Sequence, residues 1–275
     1  MLTAEYGDYM VFSKGTAEHT YLFYKEQAEG LNEIIILQGG FLLNIALILA
    51  GGTGSRMQSE IPKQYLTVNG KIIITYCLET FVASDDIDAI WIVADPFWQE
   101  KILKDLKDSH VDATKIKGFS VPGKTRQLSI LNGLEDINNT MGCDCSDVKV
   151  MIHDAARPLL NVGHISTYFK AMEGHDGVIP VLPMKDTVYI SEDGKKITGL
   201  LNRSQVFAGQ APEIFHFKKY YDACIRLMPD KILEINGSTE PAILIGMDIS
   251  VVPGDERNFK ITTIQDLERF KREVG

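Results

Sequence analysis

From residue 44 to the C-terminus, short apolar runs alternate with longer amphipathic stretches. Residues 45–50 (IALILA), 89–94 (AIWIVA), 148–152 (VKVMI) and 177–181 (GVIPV) are aliphatic and almost free of charge. Apolar positions in unbroken succession predict strands covered on both faces. Between the runs, residues 71–83, 97–107, 125–137 and 161–173 repeat apolar side chains at helical spacing. Strands alternating with helices imply right-handed βαβ units, hence an α/β, doubly wound and mostly parallel sheet. Ligands of such sheets bind outside the carboxyl ends of the strands, so chemistry is sought there.

Two segments break the alternation. Residues 1–43 show no clear period and few turn signals. They are read as an N-terminal extension of unknown role, which leaves 44–275 as one domain. Residues 186–190 (DTVYI) and 197–201 (ITGLL) flank SEDGKK, and Asp193-Gly194 predicts a β-hairpin turn. The hairpin is only partly apolar and so projects from the sheet, as an arm of about residues 185–210. A lone hairpin is marginal in water and calls for a partner surface.

Composition narrows the function class. A formal net charge of −9 argues against a broad nucleic-acid-binding surface but leaves room for a local basic pocket. The charge-free stretch 34–50 is too short for a membrane span and is interrupted by Gln38, Gly39, Gly40 and Asn44. The first residues lack a basic n-region and a small-residue cleavage site. Cys77, Cys143, Cys145 and Cys224 are too few and scattered for a disulfide framework. They read as reduced thiols of a cytoplasmic protein.

Three motifs carry candidate chemistry. The strand at 45–50 runs from Ala50 into Gly51-Gly52-Thr53-Gly54-Ser55, followed by Arg56 and, after Pro62, Lys63. Glycines let backbone N–H groups approach and cradle phosphate oxygens. Two cations beside such a loop suit a polyphosphate whose charge must be neutralised during transfer. A dinucleotide fingerprint fits less well, because the strict G-x-G-x-x-G is missing. Residues 118–125 (GFSVPGKT) match the P-loop pattern letter for letter. The alternative reading is therefore a P-loop NTPase using Lys124 and Asp154. Against it, Pro122 has no N–H to offer a phosphate, and residues 111–117 are polar for a buried strand. The third motif is HDAARP at 153–158, where Asp154 at a strand end suits Mg²⁺ or ribose and Arg157 suits phosphate or Asp154 itself. His153 reads as a packed residue. Thr187, Arg203 and Lys260, far apart in sequence, form a late group able to hold a second anion if the fold gathers them.

Taken in order, LAGGTGSRM with PKQ, GKTRQLSILNGL, HDAARP, MKDT, RSQVFAGQAPE and ERNFKITT resemble the signatures of the cytidylyltransferases that act on 2-C-methyl-D-erythritol 4-phosphate and on ribitol 5-phosphate. Pro122 stands where that pattern has a glycine, and residues 1–43 have no counterpart in it. The resemblance implies a Rossmann-like nucleotidyltransferase and a homodimer with the hairpin as dimer arm. The reaction it implies converts CTP and a polyol phosphate to a CDP-polyol and pyrophosphate, with Mg²⁺. By matching positions, Arg56 and Lys63 would stabilise charge at the α-phosphate. The backbone of Ala50, Gly51, Gly52, Thr53 and Gly54 would cradle the triphosphate. Gly123, Ser129, Asp154 and Ala155 would surround cytidine and the metal, with Asp154 as metal ligand. Thr187, Arg203 and Lys260 would grip the acceptor phosphate. HDAARP and PMKDT look like the methylerythritol enzymes of isoprenoid precursor synthesis. Trp98 and Gly209-Gln210 look more like the ribitol enzymes, which make CDP-ribitol for cell-surface polymers. The first acceptor is preferred.

Overall fold

The fold is that of a computed structural model, which describes residues 43–52, 61–141, 145 and 147–275, and the backbone of four strands before residue 43. Those four, β1 (Leu2–Tyr6), β2 (Tyr9–Ser13), β3 (Thr20–Tyr24) and β4 (Ile35–Ile36), pair antiparallel in chain order. The sequence pattern did not announce them. Their aromatic and β-branched content (YMVFS, TYLFY) favours strand, but without the clean alternation that marks one.

The domain that follows is built on eight strands: β5 (Asn44–Leu49), β8 (Ala89–Val93), β9 (Ile116–Ser120), β10 (Lys149–Asp154), β11 (Gly177–Pro183), β14 (Phe207–Gly209), β15 (Glu213–His216) and β16 (Ile249–Pro253). Between β5 and β8 lies a two-residue pair, β6 (Thr67–Val68) with β7 (Lys71–Ile72). The sheet order is β14-β11-β15-β10-β5-β8-β9, with β16 parallel to β11. Strands β10, β5, β8 and β9 are mutually parallel, and β15 joins antiparallel. Because β8 lies on one side of β5 and β10 on the other, chain direction across the sheet switches at β5. That is where an open α/β sheet leaves a crevice.

The helices α1 (Ile73–Ala83), α2 (Pro96–Asp108), α3 (Arg126–Met141), α4 (Val162–Ala171), α5 (Phe217–Arg226), α6 (Glu240–Leu244) and α7 (Ile264–Val274) complete the fold. Alternate side chains of β5 separate into two cores. Ala46 and Ile48 pack among residues of α1, α2 and α4, while Ile45 and Leu47 pack among those of α3 and α5. Such two-faced burial explains why β5, β8 and β10 read as unbroken apolar runs. Local signals set the helix starts. Asp95 caps α2 by accepting from Phe97 N, with Pro96 in the first turn, and Asn161 caps α4 through His164 N. The helix expected from residue 71 begins at Ile73, since Lys71 and Ile72 pair with β6.

Residues 111–115 are not a strand, but a strand does precede the GKT loop: β9 spans Ile116–Ser120, mostly half-buried at the edge of the sheet. An edge strand tolerates a polar residue such as Lys117. Gly118 lets the Trp91 ring lie across β9, where a Cβ would stand 2.3 Å from that ring. The hairpin expected at 186–201 is present as β12 (Tyr189–Ile190) paired with β13 (Gly199–Leu200), with Gly194 at φ +68° in the turn. Among the described residues no helix is long and apolar enough to cross a membrane.

Candidate active site

A cavity of about 390 Å³ opens beyond the carboxyl ends of β5 and β10. Five separated stretches line it: Leu49, Gly51 and Gly52; Lys63 and Gln64; Gly123, Lys124, Thr125, Arg126 and Ser129; Asp154 and Ala156; and Lys260 and Thr262. The glycine loop is fixed from below. Gln64 Nε2 donates to the carbonyls of Ala50 (2.5 Å) and Gly52 (2.7 Å), and Tyr65 Oη donates to Ala50 O at 2.9 Å. Tyr65 in turn stacks on Trp98 with ring centroids 4.3 Å apart. A loop tied down in this way keeps its amides in place before an anion arrives.

The second glycine loop faces the first across the same cavity. The hydroxyl of Ser129 accepts from Gly123 N at 3.0 Å and donates to Thr125 O at 2.9 Å, anchoring the loop to the start of α3. The two loops touch: a Cβ on Gly51 would fall 2.5 Å from Cβ and Cγ of Pro122. The two rival phosphate loops of the sequence are thus two walls of one pocket.

Charge is concentrated on the floor. Asp154 Oδ1 lies 3.2 Å from Arg126 Nε, and Oδ2 lies 3.0 Å from Lys260 Nζ and 3.5 Å from Arg157 Nε. Burial by itself would raise the Asp154 carboxyl, but Arg126, Lys260 and Arg157 together hold it well below the usual carboxylate range. It is therefore a carboxylate under all ordinary conditions. Burial pushes the neighbouring His153 imidazole down to about 4. Its Nε2 lies 3.0 Å from Arg157 O, so the neutral ring donates there and positions the Arg157 backbone. His153 is packed against Phe81 and faces no substrate space. The segment bearing Lys260 is held by polar groups on the far side. Gln210 pairs with both N and O of Asp255, Asn258 Nδ2 donates to Ala211 O, and Arg157 Nη1 donates to Asn258 O.

Comparison with known proteins identifies the architecture. The family model described as IspD, 2-C-methyl-D-erythritol 4-phosphate cytidylyltransferase, matches residues 44–272. The chain belongs to this family. Its enzymes are cytidylyltransferases, a class of nucleotidyltransferase. A ribitol-5-phosphate cytidylyltransferase of Streptococcus agalactiae is 32% identical over 83% of this chain and 94% of its own length. A 2-C-methyl-D-erythritol 4-phosphate cytidylyltransferase of Thermotoga neapolitana is 32% identical over 82% and 94%. In fold, the chain is similar to a 4-diphosphocytidyl-2C-methyl-D-erythritol synthase from Anaerococcus prevotii, with a TM-score of 0.71 and 24% identity over 84% of this chain and 96% of that one.

Within this IspD-family fold, the residues singled out from sequence divide into three sets. Gly51, Gly52, Lys63, Gly123, Ser129, Asp154 and Lys260 line the one cavity. Ala50 and Ala155 lie buried just behind it, Ala155 N donating to Leu49 O. Thr187 and Arg203 do not line it. They are exposed at the base of the arm, where Arg203 Nη1 donates to Lys185 O at 2.8 Å and Lys185 pairs with Glu256. Lys260, grouped with them in the sequence reading, sits instead beside Asp154. Thr53, Gly54, Arg56 and Cys143 lie outside the described residues. Sequence reasoning did not single out Gln64, Tyr65 or Glu213. Gln64 and Tyr65 follow directly on the Pro-Lys pair, a placement that could have marked them as supports of the loop.

Proposed function

We propose that this chain transfers a cytidylyl group from CTP to a polyol phosphate, releasing pyrophosphate. The observation that carries the reading is the convergence of two glycine loops, Lys63, Lys260 and Asp154 on a single cavity at the switch point of the sheet. In this reading the Gly51-Gly52 backbone cradles the triphosphate, and Lys63, with Arg56, stabilises charge building on the α-phosphate and departing pyrophosphate. The loop at Gly123 and Ser129 borders the nucleoside. The acceptor phosphate is already a nucleophile at neutral pH, so no covalent intermediate is needed. The task of the protein is alignment and charge neutralisation.

The donor set suits a magnesium ion that arrives with the nucleotide. Asp154 is the one carboxylate lining the cavity among the described residues, and Mg²⁺ commonly takes one or two carboxylates together with substrate phosphates. Asp154 would hold it, and when bound the ion would draw negative charge from the phosphates.

The chain's own residues leave the acceptor side to the arm. Thr187 and Arg203 would grip the acceptor phosphate of a neighbouring site. The exposed apolar side chains Tyr189, Ile190, Ile197 and Leu200 would pack on a second copy, making a homodimer. Residues HDAARP and PMKDT support 2-C-methyl-D-erythritol 4-phosphate as acceptor. Ribitol 5-phosphate is the second reading, supported by Trp98 and Gly209-Gln210, which look more like the ribitol enzymes. A pyrophosphate-release assay crossing CTP, UTP, ATP and GTP with both polyol phosphates decides it. Release with CTP and one polyol phosphate is expected, and none with any pair would overturn the reading.

A further inference from the structure

Glu213, the first residue of β15, is a buried carboxylate behind the cavity wall, not in its lining. One oxygen, Oε1, accepts from the Ser238 hydroxyl. The other, Oε2, has no hydrogen-bond partner and faces Arg126 Nη2 at 3.8 Å. Since Arg126 Nε donates to Asp154 Oδ1 at 3.2 Å, one guanidinium spans two carboxylates on adjacent strands, β10 and β15. Only a planar, forked cation can span two anions at fixed angles, and a lysine in its place would be a point charge. A buried carboxylate is costly unless a partner and hydrogen bonds compensate it. Burial does raise the Glu213 carboxyl, against the pull of Arg126 and Ser238. A group held at that cost needs a reason beyond packing.

We propose that Glu213 is a positioning residue for cytidylyl transfer: it orients the Arg126 guanidinium on Asp154 and, through Asp154, fixes Lys260 over the cavity. Arg126 keeps a third of its side chain exposed at the cavity edge. Without Glu213 its free end turns toward solvent or bound phosphate, and Asp154 loses its firm hold on Arg126, one of its three cation contacts. Lys260, 3.0 Å from the other oxygen of Asp154, then loses its reference. Reacting groups must be held within about 0.5 Å of productive geometry. The second layer of the site thus acts on turnover more than on nucleotide affinity.

The inference rests on the transferase reading, and its test separates the two. E213Q keeps size and a hydrogen-bond acceptor for Ser238. It should melt near the wild-type temperature and bind CTP with unchanged affinity by calorimetry, while kcat for pyrophosphate release falls about tenfold, as is typical of an outer-shell partner. Arg126→Lys should lower kcat at least as far, and the double variant no further than Arg126→Lys alone. Full turnover in E213Q, or losses that add in the double variant, would overturn the proposal. A readout independent of turnover is the Arg126 Nε–H resonance, assigned by its loss in Arg126→Lys. It should be sharp and slow to exchange in the wild-type chain and broaden in E213Q. An unaltered resonance overturns the positioning role even if the transferase reading stands. Wild-type inactivity with a broadened resonance overturns only the reaction. Should E213Q fail to fold, Arg126→Lys removes the same bridge from its other end, and wild-type kcat there would be equally decisive.

Discussion

The cavity floor and the base of the arm are both part of the proposed site, and they differ in how much of their chemistry one chain settles. On the floor, Asp154 is engaged by Arg126, Arg157 and Lys260, and the strand carrying it is buried on both faces. At the arm, Thr187 and Arg203 are exposed, β12 and β13 are two residues each, and Tyr189, Ile197 and Leu200 are more than half exposed. The floor is preorganised within the subunit. The arm has its recognition groups and its apolar surface on offer. On the proposed reading, the charge chemistry would be built into the fold and the acceptor grip would wait on the assembly.

Substitutions can break or sharpen this contrast. The largest effect is expected on the floor side at Lys63. Lys63→Ala should fold normally by circular dichroism yet lose about 10²–10³ in kcat, the usual cost of one transition-state charge stabiliser. Wild-type turnover would remove the floor from the mechanism. Next, Asp154→Asn leaves three cations facing one another. Breaking a buried pair costs about 3–5 kcal/mol, and the low end is expected because Arg126 and Lys260 stay a third exposed. Urea unfolding at neutral pH measures it, and an unchanged midpoint would show that the cluster is not preorganised.

Acid should dissolve the floor progressively. His153 in the folded chain titrates at about 4, below its ordinary value of 6.5. Its stabilising contribution is therefore complete above about pH 6.5 and lost as pH falls toward 4, a total on the order of 3 kcal/mol. Asp154, also depressed, contributes stability above the ordinary carboxylate range that is lost only in stronger acid. Urea midpoints at several pH values should slope downward through this window in the wild type and less in His153→Gln. On the arm, Leu200→Asp should convert dimer to monomer in sedimentation and raise the acceptor KM several-fold with CTP affinity intact. An acceptor KM unaffected by dissociation would return the whole site to one subunit. The smallest effect is expected at Lys124. Lys124→Ala should retain most turnover, whereas its abolition would revive the P-loop reading.

Much of the sheet was legible because β5, β8 and β10 bury both faces and so write continuous apolar runs. The missed strands are those under other rules. β9 is an edge strand, β14 and β15 are short and antiparallel, β16 is only partly buried, and β1 to β4 lack alternation. The site was legible where chemistry is local, as in Gly51-Gly52, Lys63 and HDAARP. It was illegible where two distant residues meet. No spacing reveals that Lys260 lies 3.0 Å from Asp154, that Glu213 backs Arg126, or that the GKT loop shares a cavity with the first glycine loop. The GKT segment reads as a rival in sequence because it matches the P-loop pattern letter for letter, whereas the fold sets it face to face with the first glycine loop.

The contact between Gly51 and Pro122 has a consequence for inheritance and for redesign. The two loops approach with no side chain on one of them and a rigid ring on the other, so a Cβ at residue 51 has no room. Neither loop can be altered alone. A larger residue at 51 would have to displace the Pro122 ring and the loop that carries it. Two positions 71 residues apart in the chain thus constrain one another.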